Sequence, residues 1–245
     1  MGTANVAVRA DERVRRVSGF RRSMARPELA AVLGTILVWA LFAALAGQRG
    51  FLTVSGTANY LQIAAQLGII GAVASLLIIA GEFDLSMGSM VGAAGMILAL
   101  TIAQFNWPVW AGVLAAFSFA IAFGYLNGFL VVKTGLPSFI ITLAGLFGLR
   151  GLALAMARLL TGKTVVGGLE PHTNGDFVAS LFKAQVGGFY VVIVWWLLVA
   201  LLCHWVLMRT QFGNWIFGTG GSATAAKNLG VPVDRVKIIL FIGTS

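Results

Sequence analysis

Leu29–Ala46 reads LAAVLGTILVWALFAALA, eighteen residues without a charged side chain. A run of this length approaches the ~20 apolar residues that cross a ~30 Å hydrocarbon layer, whereas core helices of water-soluble domains offer only ~10–14. The run therefore reads as a membrane-spanning helix. Upstream, residues 1–28 carry Arg9, Arg13, Arg15, Arg16, Arg21, Arg22 and Arg26 against Asp11, Glu12 and Glu28. This is a basic arm of the kind that stays in the cytoplasm. Ala44-Leu45-Ala46 looks like a signal-peptidase box, but the run exceeds the ~7–15 residues of a signal core and further spans follow, so it is read as an uncleaved first helix.

Downstream the pattern recurs, at about Asn59–Ala80, Gly88–Ala103, Val109–Val132, Ser138–Leu160 and Phe189–Met208. A seventh apolar run opens near Val236 and has no room to finish before Ser245, so the sequence reads as the N-terminal part of a longer protein. Of 245 residues, 59% are hydrophobic and 10% charged. A soluble domain needs about 25% charged residues to keep its surface hydrated. The expected fold class is an all-α, polytopic transmembrane helical bundle of six spans plus the start of a seventh. It occupies residues 29–245 behind the arm, with membrane lipids around it.

A net charge of +9 would point to nucleic acid in a soluble protein. Here the basic residues segregate by loop, which is the signature of membrane topology and argues against a nucleic-acid partner. With the arm inside, twelve lie on the cytoplasmic side: the seven arginines above with Lys133, Arg209, Lys227, Arg235 and Lys237. Arg49, Lys163 and Lys183 lie outside, while Arg150 and Arg158 fall in the fifth span. The single cysteine, Cys203, provides neither a disulfide framework nor a zinc pattern. His172 reads as a solvated loop residue and His204 as a structural one. No catalytic or metal-ligating constellation is visible. Ala157–Thr164 approximates a nucleotide-binding loop, but its first glycine is missing and no strand precedes it.

Chemistry is expected where polar residues interrupt the apolar runs. Gly81-Glu82-Phe83-Asp84-Leu85-Ser86-Met87-Gly88-Ser89 places two carboxylates beside a membrane core, which is costly unless they reach water, a partner or a helix N-terminus. Two readings fit: a cytoplasmic hairpin in which Asp84 or Ser86 caps the third helix, and a re-entrant break forming part of a gate. Asn59, Gln62 and Gln66 share one helix face by their spacing of three and four, and that face should point into the bundle. It serves either helix–helix hydrogen bonding or a polar path, and Asn127 invites the same two readings. The glycines flanking Asn127, and likewise Gly88 and Gly92, form small-xxx-small seams that suggest close helix packing. Arg150 needs a carboxylate, carbonyls or water, and Glu82 and Asp84 are candidates. Ser222–Leu229 reads as a short helix on a glycine-bounded loop, with Ser222 as its N-cap and Gly230 and Pro232 as its stop.

Four stretches together resemble the permease subunit of the ribose/xylose-type monosaccharide ABC importers. They are Phe51-Leu52-Thr53 with Asn59 and Gln66; Ile79–Ser89; Leu136–Gly145 followed by Arg150-Gly151; and Phe212–Lys227. The Ile79–Ser89 stretch, with its FDLSMGS core, is the most specific. The resemblance implies alternating access in a bacterial inner membrane, with Asn59, Gln62, Gln66, Glu82, Asp84, Ser86, Asn127 and Arg150 in the path or gate. It implies a second permease subunit, a periplasmic sugar-binding protein, and cytoplasmic ATPase subunits that hold the ATP and Mg, leaving no cofactor in this chain. Within 209–235, Phe212, Gly213, Gly220, Gly221, Ala225, Ala226 and Lys227 would form the ATPase-coupling segment. There Asn214, Ser222 and Thr224 replace the family's usual basic residue, Asn and Glu. An ion-coupled secondary transporter or channel without an ATPase is the alternative, for which only Glu82 and Asp84 qualify as coupling carboxylates.

Overall fold

The computed structural model describes residues 27–245. The arm therefore lies outside the described residues, apart from Pro27 and Glu28. The chain divides into two units, residues 1–57 and 58–245.

In the first unit α1 (Pro27–Ala46) is apolar on all sides and none of its spanning window is buried, as suits a helix facing lipid. A 3₁₀ turn, Gly47–Arg49, follows. The hydroxyl of Thr53 accepts the Gly56 N–H at 3.1 Å and so starts α2 (Val54–Ile79), which continues into the second unit. This capping sets the start of α2 five residues before Asn59, the start expected from hydropathy.

The second unit continues with α3 (Met87–Ala99), ending in a π-helical turn, Leu100–Gln104, then α4 (Val109–Thr134) and α5 (Ser138–Thr161). The long outer connection folds into α6 (Glu170–Thr173), α7 (Phe177–Lys183) and a hairpin of β1 (Gln185–Val186) and β2 (Phe189–Tyr190). After it come α8 (Val192–Arg209), α9 (Gln211–Gly221), α10 (Ala223–Asn228) and α11 (Val233–Thr244). Among the described residues six helices are long and apolar enough to cross a membrane, which bears out the all-α bundle.

Two further boundaries differ from expectation. Phe189 and Tyr190 belong to the hairpin rather than the sixth span. Gly187 and Gly188 adopt φ of 60° and 85°, the left-handed pair that a two-residue hairpin needs. Gln211–Gly221, to which the sequence reading assigns no secondary structure, is helical. Thr210 caps it by accepting the Gly213 N–H at 3.2 Å, and its apolar side packs inward at the buried Ile216.

Packing is most extensive between α4 and α11. A Cβ on Gly124 would stand 2.6 Å from the Phe241 carbonyl oxygen, and one on Gly128 would stand 2.8 Å from Ile238 Cα. This seam closes as expected, because only glycine lets the two backbones approach so near. Leu76 and Leu77 of α2, Val131 of α4, Ile216 of α9, and Val236, Leu240 and Phe241 of α11 form the main buried cluster. A second one, Met90 and Ala93 with Ala120 and Leu149, joins α3 to α4 and α5. Gly128→Leu is expected to drive α11 off α4 and sharply reduce the monodisperse protein recovered in detergent. Gly148→Ala, at a site with nothing within 4 Å, leaves recovery unchanged.

Candidate gating site at the break between two spans

The sequence Ile79-Ala80-Gly81-Glu82 ends α2 for a backbone reason. Gly81 takes φ of +85°, the Gly81 N–H reaches the Ile78 carbonyl at 3.0 Å and the Glu82 N–H reaches that of Leu77 at 3.1 Å. That pair of bonds closes a Schellman motif, which favours glycine at the left-handed position. The chain then runs without regular structure to Ser86. Irregular backbone beside a membrane core must find its hydrogen bonds within the protein. The first turn of α5 supplies two. Ser138 Oγ accepts the Phe83 N–H at 2.9 Å, and Thr142 Oγ1 accepts the Leu85 N–H at 3.0 Å.

Asp84 stands at the centre of this break. Its Oδ1 accepts both the Ser86 N–H at 2.8 Å and the Ser86 hydroxyl at 2.6 Å. Its Oδ2 accepts the hydroxyl of Thr244, from α11, at 2.9 Å. Ser86 Oγ in turn accepts from Asn127 Nδ2, on α4, at 3.0 Å. Asp84, Ser86, Asn127 and Thr142 are all at most 2% exposed. A buried carboxylate is costly unless its lone pairs are filled, and here three donors fill them. Asp84 thus caps the start of α3, while Ser86 makes no capping bond to backbone.

Glu82 forms an ion pair with Lys237 of α11, the two side chains 11% and 21% exposed. A second pair, Lys227–Asp234 at 2.7 Å, ties α10 to α11 on the surface. It is half exposed on both sides and contributes little to stability. The last turn of α9 abuts the break directly. A Cβ on Gly220 would stand 1.8 Å from the Ile79 carbonyl oxygen, and one on Gly81 would stand 3.7 Å from Gly220 Cα.

The structure brings together Glu82, Asp84, Ser86 and Asn127 from the sequence-derived set, with Gly220 beside them. Within the expected coupling segment, Phe212 is half-buried and packs edge-on against Trp215, and Gly213 and Ala226 are buried. Gly220, Gly221, Ala225 and Lys227 are exposed, and Ser222 caps α10 as expected, accepting the Ala225 N–H at 3.3 Å.

Two expectations are corrected, and one pairing left open by the sequence is decided. Asn59 and Gln66 are exposed and Gln62 half-buried, so their face is not turned into the bundle formed by the described residues; α2 packs instead through Ala58, Ala65, Ala74 and the leucines. Arg150 pairs with neither Glu82 nor Asp84, which are engaged by Lys237 and by Ser86 and Thr244. It lies eight residues beyond Thr142 on α5, about 12 Å further along the helix axis. The Gly88–Gly92 seam is open, with nothing within 4 Å of a Cβ at either position. Four participants went unassigned by sequence reasoning: Ser138, Thr142, Lys237 and Thr244. Ser138 and Thr142 carried a usable signal, two hydroxyls four residues apart just after Pro137. Thr244 carried none, being 160 residues from Asp84.

The family model described as "Branched-chain amino acid transport system / permease component" matches residues 56–245. The chain belongs to this permease family. Its relatives include the "Inner membrane ABC transporter permease protein YjfF" of Escherichia coli (strain K12), 30% identical over 79% of this chain and 57% of the relative. The "Fructose import permease protein FrcC" of Rhizobium meliloti is 31% identical over 86% of this chain and 59% of the relative. The "Xylose transport system permease protein XylH" of Haemophilus influenzae is 23% identical over 86% of this chain and 70% of the relative. The permease thus spans a little over half the length of the first two. Sugar-import permeases are the group that its motifs resemble. No solved structure matches the chain. The chain is a multi-pass membrane protein, and its family is described as a transport component.

Proposed function

We propose that the chain is the membrane-spanning permease subunit of an ABC importer that carries a monosaccharide across the bacterial inner membrane by alternating access. The arm lies in the cytoplasm, ATP and Mg are held by separate ATPase subunits, a periplasmic protein delivers the sugar, and a second permease subunit completes the path. The observation that carries this reading is the contact between Gly220 and Ile79. It sets the water-side helices α9 and α10 against a span break whose buried Asp84 knot joins α3, α4 and α11. Motion imposed on α9 then reaches the break without passing through a flexible loop. The relatives named for fructose and xylose support the sugar class. The uncovered amide face of Asn59, Gln62 and Gln66 is offered to the path or to the second subunit.

An ion-coupled carrier needs a carboxylate free to exchange an ion. Glu82 and Asp84, the carboxylates at the break, are both engaged, which favours the ABC reading.

The test is uptake by the assembled complex in proteoliposomes. ATP-dependent accumulation of a monosaccharide that requires the binding protein is expected. Uptake by the lone chain on an ion gradient, without nucleotide, would overturn the proposal. Glu82→Gln leaves the Lys237 ammonium without its counter-charge, a loss smaller than the ~3–5 kcal/mol of a fully buried pair because both side chains keep some exposure. Uptake is expected to fall in Glu82→Gln and to recover in the charge-swapped Glu82→Lys/Lys237→Glu protein. Undiminished uptake by Glu82→Gln would show that the pair is dispensable.

A further inference from the structure

Arg150 is the thirteenth residue of the 24-residue α5, so its guanidinium sits near the middle of a spanning helix. A charge at that depth is retained only where it meets a counter-charge, carbonyls or a water-filled cavity. Among the described residues it has no ion pair. Glu82 is held by Lys237, Asp234 by Lys227, Asp84 by Ser86 and Thr244, and Asp176 caps α7. Arg150 is exposed in the chain and lines a half-open groove of about 490 Å³ between α3 and α5. On the α3 side it is lined by Gly88 and Gly92, over which there is open space, and by Ser89. Met96, Leu146 and Leu154 form the apolar wall.

We infer that this cavity is a binding subsite for one neutral monosaccharide in transit. The inference rests on the sugar-import reading above and adds a location to it. A cavity of this size falls within the ~300–1,000 Å³ range of small-molecule sites. A guanidinium presents five N–H donors and no acceptor, and so matches the acceptor oxygens of adjacent ring hydroxyls. Ser89 can donate or accept. The bare glycine side lets a ring lie against backbone, and the apolar wall suits its C–H face. The cavity starts two residues after Ser86, so a ring bound there touches the first turn of the helix that Asp84 caps. The seam that sequence spacing suggests for helix packing is thus a surface left bare for a ligand.

The experiment uses the assembled complex carrying Cys203→Ser and Met96→Cys, which places a thiol on the cavity wall while keeping Arg150 and Ser89. Water-soluble methanethiosulfonates are expected to label it. The anionic ethylsulfonate reagent should react roughly ten times faster than the trimethylammonium reagent, because the guanidinium attracts anions. Arg150→Met should abolish that preference. Ribose, xylose, fructose and glucose serve as probes, and those that the complex transports should slow labelling. Absence of labelling, with uptake intact, overturns the inference alone, since the cavity is then filled by lipid or another helix. Labelling that no transported sugar slows, or that only gluconate slows, also overturns it. So does an Arg150→Met complex that fails to assemble while Arg150→Lys assembles, which would assign the positive charge to an inter-helix ion pair. Absence of uptake of any sugar would overturn the import reading itself.

Discussion

Asp84→Ala is expected to abolish accumulation of the folded chain, whereas Asp84→Asn folds and transports poorly. Alanine strands the Ser86 N–H and hydroxyl inside the protein, and Thr244 keeps only its bond to the Phe241 carbonyl. Bonds to a charged acceptor contribute about 1.5–3 kcal/mol each, so losing the two from Ser86 costs on the order of 3–6 kcal/mol. That is comparable to the whole margin of many folded proteins. Asparagine keeps Oδ1 for Ser86 and turns an N–H₂ toward Thr244, which can accept because it also gives its proton to the Phe241 carbonyl. Recovery of monodisperse complex should therefore separate alanine from asparagine. Uptake by Asp84→Asn is expected to fall by at least about tenfold, the equivalent of one weakened charge-assisted bond. Full uptake by Asp84→Asn would leave Asp84 with capping as its sole task.

Gly220 and Gly221 should respond in opposite directions to the same substitution. A Cβ at Gly220 would lie 1.8 Å from the Ile79 oxygen, while at Gly221 it meets nothing within 4 Å. Gly220→Ala therefore has to push α9 away from the end of α2. Overpacking of this kind costs about 1–3 kcal/mol or more, because a backbone atom blocks the way and cannot swing aside like a side chain. Gly221→Ala is neutral or slightly stabilising, since alanine exceeds glycine in helix propensity by up to about 1 kcal/mol. Thermal stability of the purified complex reads the first effect. Coupling is read separately as ATP hydrolysed per sugar imported, and Gly220→Ala is expected to raise that ratio as the contact loosens. An unchanged ratio in a stable Gly220→Ala complex would sink the coupling role of this contact.

The legible and illegible parts divide by sequence distance. The six spans follow from local composition, since a lipid-facing helix needs only a long enough apolar run. The break at Gly81 is legible too, because a left-handed glycine and a polar FDLS segment act on their immediate neighbours. Asp84 as a cap is a contact two residues long. The partners of that break are different in kind. Ser138, Thr142, Asn127, Lys237 and Thr244 come from three other helices, and their identity depends on how those helices cross.

The small-xxx-small spacings make the same point. Gly124/Gly128 and Gly88/Gly92 are alike in sequence, yet one pair is pressed against α11 and the other lies open beside Arg150. Spacing places two glycines on one helix face, but only the neighbouring helix decides whether that face is filled. The amide face of α2 behaves likewise, for Asn59, Gln62 and Gln66 do share a side that the described helices leave uncovered.

By itself, then, the sequence determined a membrane-embedded all-α chain, the order of its spans and the place where two of them break, because each depends on hydration and backbone geometry over a few turns. Tertiary structure alone decided that Glu82 meets Lys237 rather than Arg150, that Asp84 is bonded by the far end of the chain, and that Gly220 rests on Ile79. Those outcomes depend on contacts between residues up to 160 positions apart, where no local preference acts.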